Sequence, residues 1–362
     1  MAFPFTLKEV LKRGALVAAA NWPVAIVQAT ADSLVKLLIA APLIGGVFLV
    51  ALVVGAEPVE LMSLEWRQLA TTIASTLLVR PAVLAAWVAA LAVVLVGGSL
   101  FVFLVKGGTV GVLVRGERHA GAIERPPLMP ETLARASAFS IDMFIDCARG
   151  LFPRYARLGA ALMTVYLLSG SIYFVLLARI ASSGWGLAAL LTVAFVAWIT
   201  VVNLFYLLTQ IVVAADDCSV AIAASRASVF LRRQTRAVGG VFLIILGLVA
   251  LATGASIIAS AALWLVGFVP FIGLTVLPLQ LLAWVLRGLV FQFIALASVG
   301  AYLRIYRTES AEAVVHPLAP ARVSCRRSCE GSGWSRTASA SSISMRCGSR
   351  RRAQARASSC CI

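Results

Sequence analysis

Residues 238–266, VGGVFLIILGLVALATGASIIASAALWLV, run without a single charged side chain. Wound as an α-helix, that run is about 43 Å long at ~1.5 Å per residue, more than the ~30 Å hydrocarbon thickness of a bilayer. A helix closes its backbone hydrogen bonds within itself, which is the condition for crossing lipid. Comparable apolar blocks lie outward from it, near 34–56, 82–105, 158–178, 187–214 and 274–303. The sequence therefore predicts an all-α polytopic transmembrane bundle of six spans. Pro278 and Arg287 interrupt the last block, so a kink or a partly interfacial segment is expected there.

Composition points the same way. Of 362 residues 61% are hydrophobic and 13% charged, against roughly 25% charged in a soluble domain. The net charge of +16 sits between the apolar blocks and near the C-terminal end, with no aromatic-interleaved basic domain. That distribution argues against a nucleic-acid partner and for membrane lipids with anionic headgroups at the cytoplasmic face.

Orientation follows from where Lys and Arg collect. Segment 106–157 carries Lys106, Arg115, Arg118, Arg125, Arg135, Arg149, Arg154 and Arg157, and segment 215–237 carries Arg226, Arg232, Arg233 and Arg236. The alternate links, 57–81, 179–186 and 267–273, are poor in basic residues. The positive-inside rule places the arginine-rich links and both termini in the cytoplasm, in a bacterial inner membrane.

Residues 1–33 read as an N-terminal interfacial segment. Thr6 and Glu9 form a capping box, and Leu7, Val10 and Leu11 share one helical face. Asn21, Trp22 and Pro23 interrupt the apolar stretch that follows, so it does not read as a cleavable signal peptide. Trp22 suits headgroup depth, and Asp32 with Lys36 makes an i,i+4 pair. Within the transmembrane domain, 34–307, two amphipathic cytoplasmic helices are expected, near 131–149, ended by Gly150 and Pro153, and near 219–233. From about residue 317 the chain becomes rich in Arg, Ser and Cys, and 308–362 reads as a disordered tail.

No catalytic signature, cofactor site or metal site emerges. His119 and His316 are the only histidines, which leaves no triad and no HExxH helix. Cys325 and Cys329 have zinc-like spacing without a second ligand pair. The glycines of GGTVGVLVRG, 107–116, follow a span rather than a strand and carry no nucleotide fingerprint. Polar residues in the spans are the remaining leads, because each is costly without a partner. Arg287 faces either a lipid headgroup or anionic substrate in a cavity, or snorkels to the outer interface from a helix that begins later. Asn203, Tyr206 and Gln210 share a face that lines a polar pathway or bonds to neighbouring helices. Asp216 and Asp217 stand where the fourth span ends, as caps for the next helix. Gly247, Ala250, Gly254, Ser256 and Ser260 suit close helix packing.

The stretch IVVAADDCSVAIAASRASVFLRRQTRAVGGVFLIIL, 211–246, has a span ending at an acidic residue, then a short amphipathic helix and a glycine-led span. With ALASVGAYLRIYR, 295–307, it resembles the six-span membrane domain of glycerophosphoryl diester phosphodiesterases and related bacterial membrane families. Asp217, Ala224, Ser228 and Gly239 fall on the patterned positions, and Tyr302, Tyr306 and Arg307 on the close of the last span. The resemblance implies a noncatalytic membrane domain, since the His-Arg-Gly opening of the hydrolase barrel does not occur after it. The expectation is a noncatalytic scaffold or modulator of lipid or envelope processes, with a membrane-protein partner or a second copy of itself. The alternative is a transporter or lipid-translocating permease.

Overall fold

The computed structural model describes residues 6–55, 65, 68, 71, 75, 78–121, 123–124, 130–180, 185–267 and 273–315. Its helices are α1 (Leu7–Ala20), α2 (Trp22–Val54), α3 (Pro81–His119), α4 (Pro130–Ala136), α5 (Ile141–Ile180), α6 (Trp185–Asp216), α7 (Val220–Arg233), α8 (Thr235–Gly267) and α9 (Gly273–Val315). Among the described residues there is no β-strand, and six helices are long and apolar enough to span a bilayer: α2, α3, α5, α6, α8 and α9. The chain is an all-helical, multi-pass membrane protein.

The spans pair antiparallel, as paired contacts reveal. Trp87 Nε1 donates to Pro42 O at 2.9 Å while Val35 meets Gly98, which sets α2 against α3. Phe103 lies against Gly159 and Leu151 against Gly107, which sets α3 against α5. Tyr166 bonds Asn203 and Trp198 bonds Ser169, which sets α5 against α6. Large apolar side chains such as Leu167, Leu190 and Ile258 point outward all along these helices, the pattern of a surface solvated by lipid rather than water.

Among the described residues the core cluster lies at one pole, where most of the arginines are. It is built from α1, the start of α2, the C-terminal third of α3, the start of α5, the ends of α6 and α9, the α7 helix and the start of α8. Val17, Leu113, Tyr155, Val213, Ala227 and Leu303 are central to it. The capping box at Thr6 and Glu9 forms as expected, with Thr6 N donating to Glu9 Oε2 at 3.0 Å.

Several boundaries differ from the sequence reading. The apolar face of α1 is covered by α9 instead of resting on lipid: Gly14 and Gly300 touch backbone to backbone. The N-terminal segment ends early, because α2 starts at Trp22 and its candidate span is Trp22–Leu49. Lys36 neutralises Asp32 at 2.6 Å, one turn away, so the pair stays within the helix. The amphipathic stretch 131–149 is not one helix. It breaks at 137–140, and α5 then runs through Gly150 and Pro153 to Ile180. Pro153 removes one backbone donor, but buried Ala148, Leu151, Tyr155 and Leu158 hold both sides of it against the core. The helix near 219–233 matches α7, with Ala223, Ala227 and Phe230 buried. α9 continues unbroken past Pro278 and on to Val315, so 308–315 is helical; the rest of the tail, and with it Cys325, Cys329 and His316, lies outside the described residues.

Candidate functional site

Three polar regions interrupt the apolar bundle. The first is an ion-pair cluster inside the arginine-bearing pole. Arg13, on α1, is 4% exposed; its Nε donates to Glu117 Oε1 at 2.7 Å and one terminal nitrogen to Glu124 Oε2 at 2.5 Å. Arg304 reaches the other Glu124 oxygen at 3.5 Å, and Arg307 donates to Val114 O at 3.1 Å. Burial pushes the Glu124 carboxyl up, but its own backbone N–H, the Arg13 guanidinium and the Arg304 charge outweigh this and hold it below the ordinary 4.5. Each cation is already engaged by a carboxylate or carbonyl, so the cluster reads as a clamp between α1, α3 and α9.

Asp216 and Asp217 join this pole, and not as helix caps. Ser219 holds the N-cap position of α7 without a side-chain bond. Asp216 instead pairs with Arg226 of α7 and accepts from Tyr306 Oη at 2.6 Å, while Asp217 pairs with Arg154 of α5. Asp217 turns the chain with φ 50, a left-handed conformation that Asp tolerates better than most residues. The two carboxylates thus engage side chains of α5, α7 and α9. Burial pushes the neighbouring Cys218 thiol up, so it is no reactive thiolate. The described residues hold no cluster of His, Cys, Asp and Glu suited to a metal ion.

The second region surrounds Arg287. Because α9 begins at Gly273, Arg287 lies fourteen residues, about 21 Å, along the helix; a later helix start does not account for it. The exposed guanidinium sits 5.7 Å from the Phe291 ring centre. It borders two clefts. One, of about 480 Å³, lies against α8 with Ser256, Ser260, Trp264 and Trp284. The other, of about 820 Å³, lies against α2 with Asp32, Lys36 and Gln292. Gly247 and Gly254 meet nothing within 4 Å, so the small residues of α8 do not serve close packing there.

The third region contains Asn203, Tyr206 and Gln210 together, on the α6 face expected to be polar. They line a cavity of about 440 Å³ between α2, α3, α5 and α6. Tyr166 donates to Asn203 Oδ1 at 2.5 Å, and Tyr155 Oη donates to Gln210 O at 3.0 Å. Sequence reasoning assigned Lys106 to a loop, whereas it is an interior residue of α3 and lines the same cavity, its ammonium 5.8 Å from the Tyr206 ring centre. The apolar block 82–105 stops at this charge, whereas the helix runs on to His119. Gly107, Gly108 and Gly111 face Leu151, Phe144 and Cys147 of α5, so they lengthen a close helix contact rather than start a loop. No family model, curated protein or solved structure matches the chain, and the reading of these regions stands on their geometry.

Proposed function

We propose that this chain is a noncatalytic integral membrane protein of the bacterial inner membrane, a scaffold or modulator of lipid or envelope processes, with its arginine-bearing pole and both termini in the cytoplasm. The observation that carries the reading is the placement of burial. The helices are packed at one pole and part above it into clefts open to the bilayer, each bordered by a cation: Arg287 in two and Lys106 in the third. A cation set among apolar walls suits the headgroup of an anionic lipid whose chains follow the helices. The segment 211–246 supports a kinship with the noncatalytic membrane domain of glycerophosphoryl diester phosphodiesterases.

The test is lipid retention. Protein purified in mild detergent and transferred to nanodiscs of mixed phosphatidylcholine and phosphatidylglycerol is expected to enrich the anionic lipid in native mass spectrometry. Arg287→Ala is expected to reduce that enrichment. Retention that mirrors the bulk lipid ratio removes the reading.

One observation favours a lipid-translocating permease as the second reading: Arg287 borders clefts on two sides of α9, so one cation serves two lipid-facing grooves. Liposome flux that is present in the parent and lost in Arg287→Ala and Asn203→Ala would support it. No flux in the parent would remove it.

A further inference from the structure

The cavity between α2, α3, α5 and α6 gathers donors with little to accept from them. Tyr206 is 8% exposed and Gln210 2% exposed, yet Tyr206 Oη and Gln210 Nε2 form no hydrogen bond of normal distance and angle, their one polar neighbour being a loose contact with each other one turn apart. Leaving such groups buried and unpaired is costly, so native interiors rarely keep them without a reason. Both residues line the cavity, and Lys106 lines it with them. No carboxylate lies within ion-pair distance of Lys106 among the described residues. The field of Asp32 reaches it, but Asp32 pairs through Oδ2 with Lys36 at 2.6 Å. The bond from Tyr166 commits the Asn203 oxygen, which leaves its amide nitrogen as the end still available to donate.

An ammonium, a phenol and two amide nitrogens around one space match a group with several anionic oxygens. Lysine serves such a group as a compact point charge, with the neutral donors setting its orientation. Apart from Ser99 and Tyr166, the remaining wall is apolar, including Val35, Ile39, Phe103 and Leu162. A volume of about 440 Å³ falls within the ~300–1,000 Å³ of ordinary ligand pockets. We propose that this cavity is a binding site for the phosphate head of an anionic amphiphile, with Lys106 as counter-ion, Tyr206 and Gln210 as neutral donors, and the tail along the α2 and α3 wall. The proposal rests on the lipid-binding reading above and gives it a headgroup and a location distinct from the Arg287 clefts.

The experiment titrates dioctanoyl phosphatidic acid into the purified full-length protein, with native mass spectrometry and thermal unfolding as readouts. The controls are dioctanoyl phosphatidylcholine and inorganic phosphate. Lys106→Met, Tyr206→Phe and Gln210→Leu each remove a buried polar group, so the ligand-free variants are expected to unfold at or above the parent temperature. Lys106→Met is expected to weaken phosphatidic acid binding at least tenfold, and the other two severalfold. Lys106→Arg is expected to keep most of the binding, which separates lost charge from lost fold. Equal binding by Lys106→Met and parent overturns this site while leaving anionic-lipid retention through Arg287 intact. Equal saturation by inorganic phosphate overturns the amphiphile. A parent that does not distinguish phosphatidic acid from phosphatidylcholine overturns the site, and the underlying reading falls separately when nanodisc retention also shows no anionic preference.

Discussion

Arg13 and Glu117, 104 residues apart in sequence, form a 2.7 Å ion pair with side-chain exposures of 5% and 1%. The pair fixes α1 to the end of α3, and Glu124 extends the bond to α9 through Arg304. Buried charges of this kind are costly to separate: removing one partner costs about 3–5 kcal/mol because the other stays uncompensated. Arg13→Ala strands Glu117 and leaves Glu124 with Arg304 alone, so a loss in that range is expected, read as a large drop in unfolding temperature in detergent. Arg13→Met combined with Glu117→Leu and Glu124→Leu is expected to recover most of it. Failure of the triple variant to recover would show that the charges themselves set the fold.

The same cluster predicts acid sensitivity. The Glu124 carboxyl lies below its ordinary 4.5 in the folded protein, so the unfolded chain binds more protons in that window and stability rises with pH there. Its contribution is complete above about pH 4.5 and is lost as pH falls through the depressed value. The difference in unfolding temperature between parent and Glu124→Gln is expected to be largest near neutrality and to shrink under acid. A difference that does not change with pH would contradict the assignment.

Gly14 lets α1 and α9 cross in backbone contact. A Cβ there would meet Ala297 O at 2.4 Å and Ala301 N at 2.7 Å, neither of which can swing aside. Gly14→Ala is expected to cost about 1–3 kcal/mol, the range of overpacking. Gly247→Ala, where nothing lies within 4 Å, is the control and should be close to neutral. Equal melting shifts for the two would refute the crossing.

Asn21 carries a corner of the pole. Fully buried, it donates to Val17 O at 3.0 Å and Ala136 O at 2.9 Å and accepts from Ala138 N at 2.9 Å. Asn21→Ala leaves a carbonyl and an amide of the α4–α5 connection without partners, and a loss of about 2–5 kcal/mol is expected from two such groups. Hydrogen exchange at Ala138 should accelerate in the variant, and unchanged protection would count against the bond.

At Asp217 the backbone matters more than the charge. Its pair with Arg154 is 82% exposed on the Asp side, and exposed pairs contribute about 0–1 kcal/mol. Asp217→Gly should therefore unfold within a few degrees of the parent, while Asp217→Val, β-branched at φ 50, should fall clearly below it. Similar behaviour of both variants would assign the stability to the ion pair instead.

The spans were legible because the physics that sets them is local. Each block closes its own backbone bonds, and 61% hydrophobic composition leaves no aqueous alternative. The polar face of Asn203, Tyr206 and Gln210 was legible from helical spacing, and those residues do share a cavity. Lys106 was not, because a charge that closes an apolar block looks like the end of a span whether or not the helix continues past it. Asp216 and Asp217 looked like caps because proximity in sequence favours the next helix, whereas their carboxylates pair with Arg226, Tyr306 and Arg154.

What the sequence determined by itself, then, was that this chain crosses a membrane six times with its arginines gathered between spans. Only the tertiary structure decided that α1 belongs to the core, that Arg13 answers Glu117, and that Lys106 enters a cavity. Hydropathy is a sum over neighbours in sequence, whereas ion pairs, glycine crossings and donor clusters depend on which helix faces meet, often far apart along the chain.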